Sequence, residues 1–421
     1  MFFHFVKKGD NVYDLSKQYH IPVNRIIDDN NLEEPYKLVI GECLIMRKNT
    51  CVYYVRKGDT LGSISKKFSI PVEKLKKDNN LTSDMLSIGQ KLIIDHDNHE
   101  KVEGIINGYC YQGISNQNLR KILPTLSHIA PFAYRIKKYG DLVGMDEERI
   151  IEKAKEYDVT PMLVITNIKE TGGFSTELAS QILNTETTKD TLMNNIKSTI
   201  NQKKYQALCI DFEYVKEDEK NLYTQFIRKV KDSISVPLFV ALAPKNSDEQ
   251  KGLLYTAHDY YELGKIVDYV ILMTYEWGYT YGEPMAVAPL NEVKKVIRYA
   301  KSKIPEEKII MGMPNYGYDW TLPYEKGNKA DSVSNVEAIN LAKKYNVEIK
   351  FNKTSYTPYF NYKKDDKLHI VHFDDPCSLN AKINLALDEN IKGVSIWTVT
   401  TYYPQLYLLL DYYYQTKEDK D

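Results

Sequence analysis

Long apolar runs, clustered cysteines and an excess of either charge are all missing from this 421-residue sequence. No stretch approaches the roughly 20 consecutive apolar residues that a membrane-crossing helix needs. The opening run Met1-Phe2-Phe3-His4-Phe5-Val6 stops at Lys7-Lys8 and is too short for a secretory leader. The five cysteines (Cys43, Cys51, Cys110, Cys209 and Cys377) are odd in number and scattered, with no metal-ligand spacing. That pattern excludes a disulfide framework, and neither a metal nor another cofactor is expected. Synthesis and folding in a reducing cytosol follow as the expectation. Lys+Arg of 56 against Asp+Glu of 57 leaves a net charge of -1, so no global field draws the chain to nucleic acid or to an anionic membrane.

What is present is enough apolar residue, 43%, for full interiors, on a chain long enough for two or three domains. The first 96 residues contain an internal repeat. Phe5-Val6-Lys7-Lys8-Gly9-Asp10 returns as Tyr54-Val55-Arg56-Lys57-Gly58-Asp59, and Asp29-Asn30-Asn31-Leu32 returns as Asp78-Asn79-Asn80-Leu81. Ile21-Pro22 matches Ile70-Pro71, and Gly41 before Leu44-Ile45 matches Gly89 before Leu92-Ile93. Each unit reads as strand, Gly-Asp turn, helix, Pro break, helix, Asn-rich turn and closing strand, a βααβ module. The modules are placed at 1–48 and 50–96. The polar stretch 97–103 reads as a linker, and the histidines and acids around it as solvated side chains.

These modules resemble LysM domains, the second (Gly58-Asp59-Thr60-Leu61, then Gly89-Gln90-Lys91-Leu92) more closely than the first, which has Asn11-Val12 and Gly41-Glu42 instead. The resemblance implies binding to N-acetylglucosamine polymers such as peptidoglycan or chitin, with Gly9, Asp10, Gly58, Asp59, Thr60 and Asn80 as candidate contacts. Two copies raise effective concentration on a repeating polymer.

Beyond the linker, eight strand-like runs (105–111, 128–134, 161–166, 207–214, 238–243, 267–275, 308–313 and 393–399) alternate with stretches of helical apolar spacing. Eight strands with intervening helices over 104–414 predict an α/β fold, a (β/α)₈ barrel. The interval of about 321–378 before the last strand is too long for a loop and predicts a small α+β insertion.

The fourth run, Ala207-Leu208-Cys209-Ile210-Asp211-Phe212-Glu213, carries two acids on one face because side chains alternate along a strand. Taken alone, the run fits a half-solvated antiparallel strand as well. In a barrel, the C-terminal ends of the strands hold the chemistry, and a neighbouring like charge raises the pKa of the more buried acid.

The run then resembles the signature of glycoside hydrolase family 18, which ends in Asp-aromatic-Glu, here Asp211-Phe212-Glu213. Met273-Thr274-Tyr275-Glu276 is similar to the family's strand-6 motif, and Trp397 to the tryptophan of its last strand. Carried over by position, the resemblance makes Glu213 the general acid/base. It makes Asp211 the partner of the substrate's acetamido N–H, Tyr275 the partner of the acetamido oxygen, and Trp397 the floor under the sugar. Glu276, Trp277 and Tyr316 join these as candidate substrate contacts. Two departures stand out: Cys209 replaces the earlier Asp of the signature, and Glu276 replaces the commoner Asp.

With two LysM-like units ahead of the barrel, the whole chain is similar to the spore cortex-lytic glycosidases of endospore-forming bacteria. That resemblance implies a monomeric peptidoglycan hydrolase cutting as an N-acetylglucosaminidase during germination. It implies a place in the spore coat or cortex, reached from the mother-cell cytoplasm without a signal peptide. A chitinase of the same family and a non-catalytic glycan-binding coat protein are the competing readings.

Overall fold

A computed structural model describes residues 1–47, 50–68, 70–95 and 101–416. Residues 97–100 of the expected linker lie outside the described residues. The chain divides into two compact units, Met1–Lys101 and Val102–Asp421.

In the first unit, each repeat builds its own core under a two-stranded antiparallel sheet. Phe2–Phe5 pairs with Cys43–Met46 over helices Val12–Tyr19 and Val23–Asn30, and Thr50–Tyr54 pairs with Lys91–Asp95 over Leu61–Phe68 and Val72–Asp78. Pro22 and Pro71 sit just before the second helix of each pair, where the missing N–H costs nothing. The Asn-rich turn is explained by a repeated bond set. Asn30 bonds Ile45 N (2.7 Å) and Ile45 O (2.9 Å) of the closing strand, as Asn79 bonds Ile93 N (2.6 Å) and Ile93 O (2.8 Å). Buried Val12, Leu15, Ile26 and Leu44 fill one core, and Leu61, Ile64, Leu75 and Leu92 the other.

The second unit is a closed barrel of eight parallel strands: β1 Ile105–Cys110, β2 His128–Pro131, β3 Thr160–Thr166, β4 Ala207–Asp211, β5 Leu238–Leu242, β6 Tyr269–Leu272, β7 Ile309–Pro314 and β8 Gly393–Trp397. The ring closes where Gly393 of β8 pairs with Ile105 of β1 and Met162 of β3 with Ala207 of β4. Each strand is covered on both faces, which is why these runs read as apolar. Tyr109, Met162, Val164, Cys209, Phe239 and Ile271 fill the barrel interior. Just past the end of β4, Phe212 turns away from the barrel interior and stacks on Phe226 (ring centroids 5.5 Å apart) of helix Lys220–Ser233, a burial that stabilises by about 1.5–3 kcal/mol. The alternation expected for this strand therefore holds.

Between β7 and β8 lies an antiparallel five-stranded sheet ordered Asp331–Val333, Gly317–Leu322, Lys367–His372, Thr357–Lys364, Lys350–Asn352, with helix Asn335–Tyr345. It begins at Gly317, ahead of the expected 321. The run Gly317-Tyr318-Asp319-Trp320 mixes polar and aromatic residues and does not read as a strand, although Trp320 is buried and its indole N–H donates to Gly282 O (2.9 Å). Among the described residues, no helix is long and apolar enough to cross a membrane.

Candidate active site

The acids of β4 arrive at the C-terminal mouth of the barrel because the strand's inward face runs Cys209, Asp211, Glu213. There a cleft of about 920 Å³ opens, lined by Asp211, Glu213, Tyr275, Glu276, Tyr316 and Trp397 among others. Six of the seven residues expected at this site are thus brought together from three strand ends and the start of the insertion. Trp277 does not line the cleft. Glu276 adopts a left-handed backbone (φ 66°), and from there Trp277 N bonds Val287 O (3.1 Å) and Gly278 N bonds Ala286 O (3.0 Å), tying the segment away from the cleft.

Tyr275 can lie against β7 because residue 312 is glycine. A Cβ there would meet Leu272 O at 2.5 Å and Tyr275 Cε1 at 2.8 Å. Its ring runs nearly parallel to Trp397, 18° apart with centroids 6.5 Å distant. Trp397 is itself wedged by the edges of Phe132 (4.6 Å), Tyr109 (5.4 Å) and Tyr111 (6.0 Å), so its orientation is set by packing before any ligand arrives.

Burial dominates the electrostatics. It pushes Asp211, 5% exposed, up to about 7. It also holds Glu213 well above the ordinary carboxyl range, with the charges of Asp211 and then Glu276 adding to the effect. The sequence pointed to the like charge; the structure ranks it second. Near neutral pH the pair therefore retains a proton. Among the described residues, Asp211 Oδ1 is buried without a hydrogen-bond partner. Desolvation raises Glu276 too, opposed by hydrogen bonds from Tyr316 and Tyr318, whose hydroxyls both donate to its Oε1, the latter at 3.0 Å. Among the described residues, no cluster of three or more His, Cys, Asp or Glu could hold a metal.

At the departure from the family signature, Cys209 Sγ lies 3.4 Å from Tyr109 Oη, both side chains buried. Reading the sequence did not single out Tyr111, Phe132, Asn167, His258 or Tyr318. Asn167 and His258 act on backbone atoms, a role that residue type and spacing do not mark.

In the N-terminal unit, the Gly-Asp pair builds the turn. Gly9 and Gly58 take φ of 93° and 90°, and Asp10 and Asp59 each accept the backbone N–H three residues earlier, from Lys7 (2.8 Å) and Arg56 (2.6 Å). Asp10 also accepts from His4 (2.7 Å) and Asp59 from the Tyr53 hydroxyl (2.7 Å). Thr60 caps the helix Leu61–Phe68 through Ser63 N (3.1 Å), and Asn80 takes a left-handed φ of 49°.

Comparison with known proteins agrees with this geometry. The model of glycosyl hydrolases family 18 matches residues 109–401, and that of the LysM domain matches 4–46 and 53–95. The chain is 40% identical over 418 residues to the cortical fragment-lytic enzyme of Bacillus anthracis, with 96% of each chain covered. It superposes on the crystal structure of the Bacillus cereus spore cortex-lytic enzyme SleL with a TM-score of 0.84 at 36% identity, covering 99% of both chains. The corresponding Bacillus megaterium QM B1551 structure gives 0.84 at 34% identity, covering 99% of this chain and 98% of that one.

Proposed function

The chain belongs to family 18 of the glycosyl hydrolases, and we propose that it cleaves spore cortex peptidoglycan as a retaining β-N-acetylglucosaminidase, with the substrate's own acetamido oxygen as nucleophile. The two LysM modules are its hold on the polymer.

The observation that carries this reading is how the acids of the cleft are engaged. A double-displacement glycosidase needs a free carboxylate on the far side of the sugar from the proton donor. Asp211, the last residue of β4, and Glu213, just past its end, project into the cleft from the same side. Glu276 is taken up by two tyrosine hydroxyls, and Glu337 by the backbone N–H of Ser334 (2.7 Å) as a helix cap. Asp211, with Oδ1 unpaired among the described residues, stands on the donor's own side of the sugar and not opposite it, which supports a nucleophile supplied by the substrate.

Glu213, kept protonated by burial, gives its proton to the glycosidic oxygen as the bond to C1 breaks. Asp211, with Oδ1 unpaired, accepts the acetamido N–H and turns the carbonyl oxygen toward C1. The Tyr275 hydroxyl donates to the acetamido group as charge develops, and Trp397 floors the sugar. Glu276 and Tyr316, already joined, face the sugar's hydroxyls from the rim. Glu213, now a carboxylate, takes a proton from the water that opens the oxazolinium ring, and the two inversions give retention.

Mass spectrometry of products from purified cortex, vegetative wall and chitin tests the assignment. Cortex fragments ending in reducing N-acetylglucosamine are expected, with de-N-acetylated glycan cut poorly. Preference for chitin moves the substrate to the chitinase reading, and equal rates on de-N-acetylated glycan overturn the mechanism.

A further inference from the structure

The catalytic acid sits on a peptide unit that the barrel ladder does not reach. β4 ends at Asp211, whose last strand neighbour is Thr166, so the Phe212–Glu213 peptide lies beyond the sheet pairing. The next residue, Tyr214, has a left-handed φ of 56°, a conformation that a bulky residue keeps only when its surroundings enforce it.

Two buried side chains take the place of the ladder. Asn167, fully buried just after β3, accepts the Glu213 N–H at Oδ1 (3.0 Å). Its Nδ2 donates to Glu213 O (2.8 Å) and to Ser175 O (3.0 Å). His258, 1% exposed in the segment after β5, reaches the same peptide from the other side, with Nε2 2.9 Å from Phe212 O. Its tautomer follows from its partners. Nδ1 faces the Ala243 N–H (2.8 Å) and must accept, so Nε2 carries the proton and donates to the carbonyl. Burial lowers the imidazole to about 4, the backbone carbonyl opposes the shift, and nearby Lys245 adds to it. The ring stays neutral at working pH, and its bonding pattern does not change.

We infer that Asn167 and His258 are positioning residues that fix the Phe212–Glu213 peptide in one plane and so aim the Glu213 carboxyl at the glycosidic oxygen. Both ends of a single amide are held, its N–H by Asn167 just after β3 and its C=O by His258 in the segment after β5, so the plane can neither rotate nor slide along the chain. Asn167 additionally fixes the carbonyl on the far side of Glu213, leaving side-chain torsions as the acid's only freedom. The inference rests on Glu213 being the proton donor.

The experiment compares His258→Phe, His258→Gln, Asn167→Ala and Glu213→Gln with the wild type on soluble cortex fragments. It records kcat, KM, melting temperature and affinity for an N-acetylglucosamine-thiazoline inhibitor. Misplacing a reacting group by about 1 Å costs roughly 10²-fold, so His258→Phe and Asn167→Ala should lose about 10- to 100-fold in kcat and in inhibitor affinity while KM changes by less than about 3-fold. The amide oxygen and nitrogen of glutamine are spaced like the two ring nitrogens. His258→Gln can therefore accept from Ala243 and donate to Phe212, and it should recover most of the rate.

A purely structural role predicts lower melting temperatures with unchanged kcat per inhibitor-binding site, and that result overturns the proposal. So does a folded His258→Gln that is as slow as His258→Phe. If His258→Phe does not fold, Asn167→Ala and His258→Gln decide by the same criteria. A fully active Glu213→Gln instead removes the assignment of the acid on which the inference stands.

Discussion

Replacing Asp211 by Asn tests the electrostatics of the site more sharply than deleting the acid itself. Residues two apart on a strand have Cα atoms about 6.5–7 Å apart. Taking the carboxylates to be about as far apart as these Cα atoms, an effective dielectric near 20 gives a repulsion of roughly 332/(20 × 6.5), about 2.6 kcal/mol, close to 2 pKa units. Burial, the larger cause of the Glu213 shift, survives the substitution, while the Asp211 contribution disappears. The donor must be protonated, so activity falls as pH rises through the Glu213 pKa. Asp211→Asn should therefore move the basic limb of kcat/KM down by about one to two units, beyond any loss of rate from the acetamido contact. Stability supplies a second readout. Asp211 titrates near 7 when folded and near its ordinary value when unfolded, so its carboxyl favours folding fully only below the unfolded pKa, and that contribution is lost as pH rises through about 7. Asn removes this cost, so the variant's gain in melting temperature should be larger at pH 8 than at pH 5. A pH–rate profile on a soluble fragment, with calorimetry at both pH values, makes the measurement. A basic limb that stays put or rises, or a stability gain that shrinks with pH, refutes the reasoning.

Glu213→Gln keeps size and hydrogen bonding but has no proton to give, so turnover should fall roughly 10²-fold or more. Pull-down on insoluble cortex should show binding retained, since the modules and Trp397 are untouched. Tyr275→Phe removes one donor to the charge that develops on the acetamido group, worth on the order of 3 kcal/mol, and steady-state kinetics should show that loss in kcat with little change in KM. An unchanged rate would make Tyr275 a packing residue. Removing residues 1–101 leaves a unit with its own core and should preserve hydrolysis of short fragments while weakening attachment to insoluble spore material, as read by product release and sedimentation. Loss of short-fragment hydrolysis would contradict that division.

The barrel was legible because its strands are enclosed on both faces and read as apolar runs, against which Asp211 and Glu213 stand out. The insertion's first strand was not, because Gly317-Tyr318-Asp319-Trp320 alternates without a clean apolar face and places its tryptophan under the 282 turn. Trp277 adjoins the motif in sequence, yet the left-handed Glu276 redirects the chain, and backbone handedness at a single non-glycine residue has no signature in composition. In the LysM modules Asp10, Asp59 and Thr60, expected as glycan contacts, are seen to build turns and a helix cap. Their spacing is what turn and cap geometry demand, so pattern alone separates fold-building from ligand contact poorly there.

Cys209 raises the question of how the site works without the additional inward-facing acid of the family signature. The answer lies in what an acid there would do to its neighbour. Position 209 points into the barrel below Asp211, and an ionised group in that dry interior would compete with Asp211 for a shared proton. Burial pushes the Cys209 thiol up and keeps it neutral, and Tyr109 occupies its polar edge at 3.4 Å. Burial raises Asp211, and the neutral thiol below it adds no charge of its own. One proton is then divided between two carboxyls instead of among three, and the upper of the two, partly open to the cleft, is the proposed donor. An ionised Asp211, its Oδ1 unpaired among the described residues, is suited to the proposed contact with the substrate's acetamido N–H. The substitution thus removes a competitor for the proton while leaving in place Glu213, Asp211 and Tyr275, the residues proposed as donor, acetamido partner and acetamido-oxygen partner, and the departure is compatible with the proposed hydrolysis.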